Sequence, residues 1–320
     1  MSLTRSLALT ATVGATTLGL ALAPLGQAVA APCPRPTAYL VSRDPGVLPE
    51  GIAIDRDGTV YVSSSATGRL YRGQIAVPWL RPFVAQGVAD RTRTLGVHTD
   101  RRGRVFSVGG ATLAVHTPDG RLLTRRTAPE GPLGAPDLND LVITPDAVYV
   151  TDWANPSVLR AALDRDGRPG PLLPWLDLRP ALPQFPARYW LLNGIVATPD
   201  GATLLVASNG TEAVWRIDTA TSAVSRLDLG EQSFGADGMV LAGRSLYAVL
   251  NYGAPSGVYV AELDPDFRTG TVTHRLTGAP FDSPTTLARH DCRLYVVNSQ
   301  LDHAPGSPPY TVSAVPDPLC

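Results

Sequence analysis

The sequence predicts an all-β fold, a six-bladed β-propeller whose last blade is closed by a strand from the N-terminal part of the chain. Two observations support this prediction. A unit of about 45 residues recurs six times along the 320-residue chain. Each copy contains an apolar segment, a tight turn and a second segment rich in β-branched and aromatic residues, the pattern of a β-hairpin, followed by two further strand-like segments. Six copies of a four-strand unit at this period are typical of a six-bladed propeller.

The six copies align on the residues of their tight turns. The aligned segments begin at positions 51, 96, 140, 194, 238 and 285, so successive copies are 45, 44, 54, 44 and 47 residues apart. A parallel β-helix would have shorter repeats, and a two-sheet sandwich would not keep this period. The sixth copy lacks a fourth strand, which residues 37–43 (TAYLVSR) can supply from ahead of the first copy. Both chain termini would then lie in one blade.

The first thirty residues have the features of an export signal. Arg5 precedes an apolar stretch over residues 7–25, and Ala28, Val29 and Ala30 match the small-x-small pattern of a cleavage site. A membrane anchor is the alternative, given the length of the stretch. We expect cleavage after Ala30 or Ala31, because the stretch contains Thr and Gly and ends in that pattern. The domains are then a signal peptide at 1–30 and a single propeller at 31–320, secreted and extracellular, without membrane association.

The charged residues exclude several functions. All 27 basic residues are arginine, and 28 acidic residues bring the formal net charge to −1. Without lysine there is no Schiff base and no phosphate-loop lysine. A near-neutral chain without basic runs is not expected to bind nucleic acid, because neutralised phosphates dominate that binding. We expect a small-molecule substrate, no nucleic-acid partner, and a monomer.

Three cysteines follow the predicted cleavage site: Cys33, Cys292 and Cys320. An oxidising compartment permits one disulfide and leaves one thiol. In the predicted topology all three lie at the bottom of blade six, where a disulfide would lock the closure of the ring. The sequence leaves the pairing open.

The strongest chemical signal is at the start of the first strand of each blade. These starts, the ends of the second strands and the loops that follow them should share one face, here termed the top face. The residue before each aligned segment should lie at the mouth of the central channel. In chain order these residues are Glu50, Leu95, Asn139, Asn193, Asp237 and Pro284.

Four of these six residues carry a side-chain oxygen. Oxygen donors that converge on one axis suit a divalent cation, and we expect Ca²⁺, with Mg²⁺, Mn²⁺ and Zn²⁺ as alternatives. Taken singly, an Asp or Asn at a strand start could instead cap its own backbone. Four of them at equivalent positions favour a binding site.

Four motifs in this region resemble the SMP-30/gluconolactonase family. They are PEGIAID around Glu50, LNDLVITPD around Asn139, LLNGIVATPDG around Asn193 and GADGMVL around Asp237. The resemblance extends over residues 37–316, and the segments NGIVATPDG and SPTTLARH are similar to a secreted actinobacterial branch. It implies that Glu50, Asn193 and Asp237 bind a divalent metal and that Asn139 binds water or substrate. The arginine that grips sugar hydroxyls in that family has no counterpart at Leu95, which counts against a sugar-acid lactone.

The resemblance implies a metal-dependent hydrolase of a lactone or ester. The cation would polarise the carbonyl and activate water, Asp237 would also accept a proton, and Asn139 would orient the reacting group. The chain contains no G-x-S-x-G motif, so a serine nucleophile is not expected. The alternatives are a strictosidine-synthase-like enzyme and a non-catalytic propeller that binds a ligand or partner, because the fold alone does not choose between them.

Further residues are expected to line a substrate pocket on the top face. The 54-residue spacing includes WLDLRPALPQFPARYW at residues 175–190, whose Tyr189 and Trp190 would belong to an apolar flap. A packing loop is the alternative. Asp152 ends a second strand and Trp153 follows it, and His98 lies within the first strand of blade two; Trp153 could instead pack in the core or at an interface, and His98 could instead be structural.

Overall fold

The computed structural model describes residues 35–84, 92–181, 191–230, 233–252 and 255–320. The described part contains 24 β-strands in six four-stranded antiparallel sheets, together with a 3-10 turn at Leu301–His303. The predicted six-bladed propeller is therefore confirmed. The predicted signal peptide at 1–30 and Cys33 lie outside the described residues, so export remains a prediction. No helix of the described part is long and apolar enough to cross a bilayer.

The strands of the described part begin with β1 (Ala38–Ser42), and the next twenty form blades one to five in chain order. Blades one and two contain β2 (Pro49–Ile54), β3 (Thr59–Ser64), β4 (Leu70–Gln74), β5 (Arg81–Val84), β6 (Val97–Thr99), β7 (Val105–Gly109), β8 (Thr112–His116) and β9 (Leu122–Thr127). Blades three and four contain β10 (Leu138–Ile143), β11 (Ala147–Asp152), β12 (Ser157–Ala162), β13 (Leu173–Asp177), β14 (Leu192–Ala197), β15 (Thr203–Ser208), β16 (Ala213–Asp218) and β17 (Val224–Arg226). Blades five and six contain β18 (Ala236–Ala242), β19 (Ser245–Leu250), β20 (Gly257–Leu263), β21 (Gly270–Thr277), β22 (Pro284–His290), β23 (Arg293–Asn298) and β24 (Tyr310–Pro316).

The ring closes in blade six as the sequence predicts. The order of that sheet is β22-β23-β24-β1, with β1 antiparallel to β24 and Tyr39 opposite Val312. The first strands of the blades contact one another around the ring, and β22 contacts β2. Both ends of the propeller domain therefore meet in one sheet, and the first strands surround one axis.

The core lies between neighbouring blades. Tyr39 and Tyr295 of blade six pack in one cluster with Val62 of blade one, and the two tyrosine rings lie 5.6 Å apart. The second strands β3, β11 and β15 are buried along their whole length. Their β-branched, aromatic and small residues suit strands that are covered on both faces.

A β-bulge opens the first strand in five blades. In blade one Pro49 pairs with Ser64 but Ile52 pairs with Val62, so two residues of β2 face one residue of β3. The equivalent bulges are at Glu50–Gly51, Asn139–Asp140, Asn193–Gly194, Asp237–Gly238 and Thr285–Thr286. Leu95 and Gly96 hold the same place in blade two, just ahead of β6. A bulge re-aims side chains near the end of a strand, and here it acts on the mouth residues.

The register corrects one prediction. The alignment gave Pro284 as the mouth residue of blade six, but Pro284 pairs with Asn298 and the bulge begins at Thr285. Thr285 is the equivalent of Glu50, and its Oγ1 donates to the Glu50 carbonyl oxygen at 2.9 Å. The alignment slipped by one residue because Thr285 and Thr286 offer no glycine by which to choose the frame.

Cys292 and Cys320 form the disulfide that the sequence left unassigned. Cys292 lies in the turn between β22 and β23, and Cys320 ends the described chain. Between them, the buried Asp317 accepts hydrogen bonds from the Tyr247 hydroxyl at 2.9 Å and from Arg289 Nε. The C-terminal segment is thus tied to blade six by the disulfide and to blade five through Tyr247.

We expect the paired substitution Cys292→Ser and Cys320→Ser to lower the free energy of unfolding by about 3 kcal/mol, because the bond closes a loop between residues 28 apart. Urea unfolding of the wild type and the double variant, each with and without reductant, measures this. Reductant should destabilise the wild type and leave the double variant unchanged. Equal stability of the two oxidised proteins would contradict the expected role of the disulfide in closure.

Candidate functional site

The four predicted oxygen donors occupy the same place in four blades. Each is the second residue of its first strand and the first residue of a bulge. Their relative exposures are 5% for Glu50, 7% for Asn139, 3% for Asn193 and 5% for Asp237. Polar side chains buried to this extent need hydrogen-bond partners or a bound ion, so the partners of each decide what the site can hold.

Asp237 is held by Asn251. The side-chain amide of Asn251 donates to Asp237 Oδ2 at 2.6 Å and to the Pro284 carbonyl oxygen at 2.9 Å. The Asn193 amide donates to Asn209 Oδ1 at 2.8 Å, and Asn193 lowers the pKa of Asp237. A Cβ at Gly194, the residue after Asn193, would overlap the Asp237 carbonyl oxygen, so the structure brings two of the three predicted metal ligands close together.

Glu50 has an unsatisfied carboxylate oxygen. Its Oε2 is buried and accepts no hydrogen bond from the described residues. Burial raises the pKa of Glu50 well above its ordinary value, and the charges of Asp237 and Asp140 raise it further. Asn251 Oδ1 is a second buried oxygen without a hydrogen bond from the described residues. An unpaired buried acceptor costs about 1–3 kcal/mol, and a cation at the mouth would relieve both.

Burial also raises the pKa of Asp237 to about 7, although the side chains of Asn251 and Asn193 lower it. The charge of Asp237 raises the pKa of Glu50 by more than the charge of Arg93 lowers it, so the two buried carboxylates are only partly compensated. The donor set of two carboxylates and amide oxygens is the chemistry that hard cations such as Ca²⁺ take. The residues at the mouth therefore fit a divalent cation.

No group of three or more His, Cys, Asp and Glu side chains in the described part is arranged to hold a metal ion. The predicted set contains two carboxylates, and its remaining members are asparagines. The carboxylates and the amide oxygens would have to share the ligation.

The first residues of β10 add a carboxylate that sequence reasoning missed. Asp140 stands where the other blades have glycine or threonine, and its Oδ1 accepts a hydrogen bond from Leu141 N at 2.8 Å. A Cβ at Gly96 would lie 2.5 Å from that oxygen, so glycine at 96 makes room for it. The signal was the N-D pair in place of N-G. Asn139 lies directly before it, and its carbonyl oxygen accepts from Gly96 N at 2.7 Å.

His98 lies next to Asp140. The His98 Nε2 and Asp140 Oδ1 atoms are 3.4 Å apart, across the contact between blades two and three. This predicted pocket residue is three positions beyond Leu95 and therefore deeper along the first strand than the mouth.

Arg93 is a second residue that sequence reasoning missed. It lies two positions before Leu95, its Nη1 donates to Asp137 Oδ2 at 2.9 Å, and its charge lowers the pKa of Glu50. Its Nε is buried and donates to none of the described residues. The mouth position of blade two is Leu95, but the loop before it supplies an arginine. The lack of an arginine at Leu95 therefore counts less against a sugar-acid lactone.

Asp152 has its carboxylate oxygens engaged in the loop. Oδ1 accepts from the backbone N–H groups of Asp137, Ala154 and Asn155, and Oδ2 accepts from the Asn155 side chain at 2.8 Å. These bonds give Asp152 a role in shaping the top face. Tyr189 and Trp190 lie outside the described residues.

The loop shaped by Asp152 presents Trp153 on the top face. The Trp153 ring centroid lies 6.4 Å from that of Tyr252, which directly follows Asn251. The structure thus brings Trp153 to an aromatic neighbour that the sequence did not single out.

Comparisons with known proteins agree with this architecture. The strictosidine synthase-like, N-terminal family matches residues 37–73, a segment that runs from β1 into β4 and includes Glu50. The matched segment is too short to assign the chain to that family. No curated protein sequence matches the chain.

Three solved structures illustrate the similarity. A calcium-binding regucalcin from Agrobacterium tumefaciens has 17% identity and a TM-score of 0.60, over 87% of this chain and 93% of that one. A gluconolactonase from Xanthomonas campestris has 18% identity and a TM-score of 0.58, over 88% and 98%. Virginiamycin B lyase from Staphylococcus aureus has 14% identity and a TM-score of 0.57, over 82% and 80%. At these identities the similarity shows a shared fold.

The raised pKa of Asp237 predicts a pH-dependent stability. Its pKa is about 7 in the folded chain against an ordinary 3.8, so between these values the folded state binds the extra proton. The free energy of unfolding of the metal-free protein should therefore fall as pH rises from about 4 to about 7. In Asp237→Asn, the fall in the free energy of unfolding over this pH range should be smaller by about 3 kcal/mol. Urea unfolding in chelator at pH 4.5 and pH 7 measures it.

The matched control is Asp57→Asn, which removes an exposed carboxylate in the turn between β2 and β3, at the opposite end of the blade from the mouth. It should keep the wild-type pH dependence. An Asp237→Asn protein whose stability falls as steeply as that of the wild type would contradict the expectation.

Proposed function

We propose that the protein is a secreted, metal-dependent hydrolase of a lactone or ester. The observation that carries the proposal is the pair of buried carboxylates at the channel mouth, where Glu50 Oε2 has no hydrogen-bond partner among the described residues and Asp237 Oδ2 accepts a hydrogen bond from Asn251. Glu50, Asn193 and Asp237 would hold the cation. Ca²⁺ is the preferred ion, since every ligand is a hard oxygen donor.

When bound, a divalent cation supplies Lewis acidity, which polarises an ester carbonyl and makes water a better nucleophile. The chain's own residues position the other groups. Asn251 holds Asp237 Oδ2, and the carboxylate of Asp237 accepts the proton of the attacking water. Asn139 orients the water or the ring oxygen of the substrate by its amide. The ring of first strands keeps these groups fixed before substrate arrives, so little reorganisation is needed.

The comparisons support the proposal in kind. Gluconolactonase and calcium-binding regucalcin are among the proteins that share the fold. The strictosidine synthase-like match over residues 37–73 favours a second candidate, an enzyme of that type, for which we propose a reaction without a metal. Asn193 and Asp237 lie beyond the matched segment, and their place with Glu50 at the channel mouth favours the metal-dependent reaction.

The remaining parts of the proposal rest on the sequence. The N-terminal signal supports secretion, the near-neutral charge supports a small-molecule substrate and no nucleic-acid partner, and a monomer is proposed with them.

A direct test is Ca²⁺-dependent stabilisation. A hundredfold excess of Ca²⁺ over its dissociation constant should add about 2.7 kcal/mol to the free energy of unfolding. Glu50→Gln and Asp237→Asn should each abolish this gain, whereas the charge-matched Asp57→Asn should retain it. Thermal melting with Ca²⁺, Mg²⁺, Mn²⁺ and Zn²⁺ measures it. An unchanged melting temperature of the wild type in all four metals would refute the proposed metal site.

Turnover is tested on lactones and aryl esters. The wild type should hydrolyse at least one of them in Ca²⁺, and chelator should reduce the rate at least tenfold. Asp237→Asn should be inactive because it loses both a ligand and the proton acceptor. Turnover that is insensitive to chelator would favour the metal-independent alternative, and metal binding without turnover would favour a non-catalytic binding propeller.

A further inference from the structure

We propose that Trp153 and Tyr252 form an aromatic platform beside the channel mouth that binds a flat apolar group of the substrate. The site would then prefer aryl esters and aryl-fused lactones to small aliphatic lactones. This inference rests on the proposed function and names the substrate class of the same site.

The two rings come from blades that are not neighbours. Trp153 follows β11 in blade three and Tyr252 follows β19 in blade five, yet their centroids are 6.4 Å apart and their planes are inclined by 42°. Blade four lies between them and contributes Asn193 to the mouth. Second strands end on the top face, so rings that meet across blade four lie close to the mouth residues of that blade and of blade five.

Tyr252 is tied to the site by its chain neighbour. Tyr252 directly follows Asn251, and the Asn251 side chain donates a hydrogen bond to Oδ2 of Asp237, a proposed metal ligand. Burial, together with the charges of Asp237, Asp302 and Glu50, raises the pKa of Tyr252 to about 12. The residue is nevertheless 47% exposed, so part of it is open to a ligand.

Trp153 is held in place by its backbone. Its N–H donates to the Asp137 carbonyl oxygen at 2.8 Å, and the N–H of Asp137 in turn donates to Asp152 Oδ1 at 2.9 Å. A ring whose backbone is fixed before binding loses less freedom when a ligand settles on it.

Two exposed apolar residues belong to segments next to the platform residues. Leu133 is exposed, and its N–H donates to Asn155 Oδ1 two residues from Trp153. Leu301 is also exposed and adjoins Asp302 in the chain, whose charge acts on Tyr252. Apolar surface next to a few convergent polar groups is the usual make-up of a small-molecule site, and aromatic rings add offset or edge-to-face contacts with a flat ligand.

The test compares two lactones that differ in one feature. Dihydrocoumarin and δ-valerolactone share a six-membered lactone ring, and only the first has a fused benzene ring. In Ca²⁺, Trp153→Ala and Tyr252→Ala should each lower kcat/KM for dihydrocoumarin at least tenfold and change it less than twofold for δ-valerolactone. Tyr252→Phe should retain the preference for dihydrocoumarin over δ-valerolactone, because the ring and not the hydroxyl makes the contact. Equal losses on both lactones, or none on either, would overturn the proposal.

The control for removing an exposed ring is Trp79→Ala. Trp79 is 48% exposed, close to the 47% of Tyr252, and its backbone bridges to Leu40 in the closing strand β1, away from the mouth residues. Trp79→Ala should leave kcat/KM for both lactones unchanged. A similar loss in Trp79→Ala would show that the effect does not come from the platform.

A binding measurement separates this inference from the proposed function. The lactams 3,4-dihydro-2-quinolinone and δ-valerolactam match the two lactones but resist hydrolysis. Calorimetry should show at least tenfold tighter binding of the aromatic lactam to the wild type and no preference in Trp153→Ala or Tyr252→Ala. If the wild type prefers the aromatic lactam but hydrolyses no lactone, the proposed hydrolase function is refuted and the proposed platform is supported.

Equal affinity of the wild type for both lactams would refute the platform whatever the enzyme does. A second copy of the chain is the other possible occupant. Sedimentation that shows a dimer lost in Tyr252→Ala, with no lactam preference in the wild type, would assign the rings to self-association.

Discussion

The close approach of the first strands around one axis is the constraint on which the site depends. A Cβ at three glycines would overlap an atom of the next blade. The overlaps would be between Gly51 and Leu95 O, between Gly194 and Asp237 O, and between Gly238 and Thr286 Oγ1. None of these glycines has the left-handed φ that a turn glycine adopts. The glycine that follows each of these mouth residues is therefore required by packing between blades, and the bulge that contains it directs the preceding side chain to the channel mouth.

The same closeness brings buried acidic groups together. Glu50 and Asp237 are both buried, and the charge of Asp237 raises the pKa of Glu50. Asn251 rather than an arginine donates to Asp237, so the charge is hydrogen-bonded but not neutralised. Arg93 lowers the pKa of Glu50 only in part and is itself paired with Asp137. A cation at the mouth, as proposed above, would stabilise this ring and so tie its function to its folding.

The closure at blade six keeps this arrangement in place. β1 completes the sheet that begins with β22, and Thr285 of β22 donates to the Glu50 carbonyl oxygen of blade one. The mouth therefore includes the contact between blades one and six, and blade six is the sheet in which β1 closes the ring. The disulfide at Cys292 and Cys320 and the bonds of Asp317 hold the bottom of the same blade, so the covalent lock and the site lie at opposite ends of one sheet.

The fold was predictable because each blade must bury the same two faces against its neighbours. That requirement repeats the same apolar pattern at a fixed period, which a single sequence displays. The placement of Glu50, Asn139, Asn193 and Asp237 at one mouth followed from the period alone. The period does not reveal a shift of one residue, so the alignment predicts Pro284 at the mouth where the structure has Thr285. Asp152 also fitted the pattern of the top face, although its oxygens are bound to its own loop.

What the sequence by itself determined was the number of blades, the closing strand and the equivalence of the mouth positions, because these follow from local hydrophobic and turn patterns repeated along the chain. Only the tertiary structure decided the pairing of Cys292 with Cys320, the approach of Arg93 to Glu50, the contact of Asp140 with His98 and the meeting of Trp153 with Tyr252. Each of these joins residues from different strands, loops or blades. Such distances are set when the ring closes, and no local pattern in the chain specifies them.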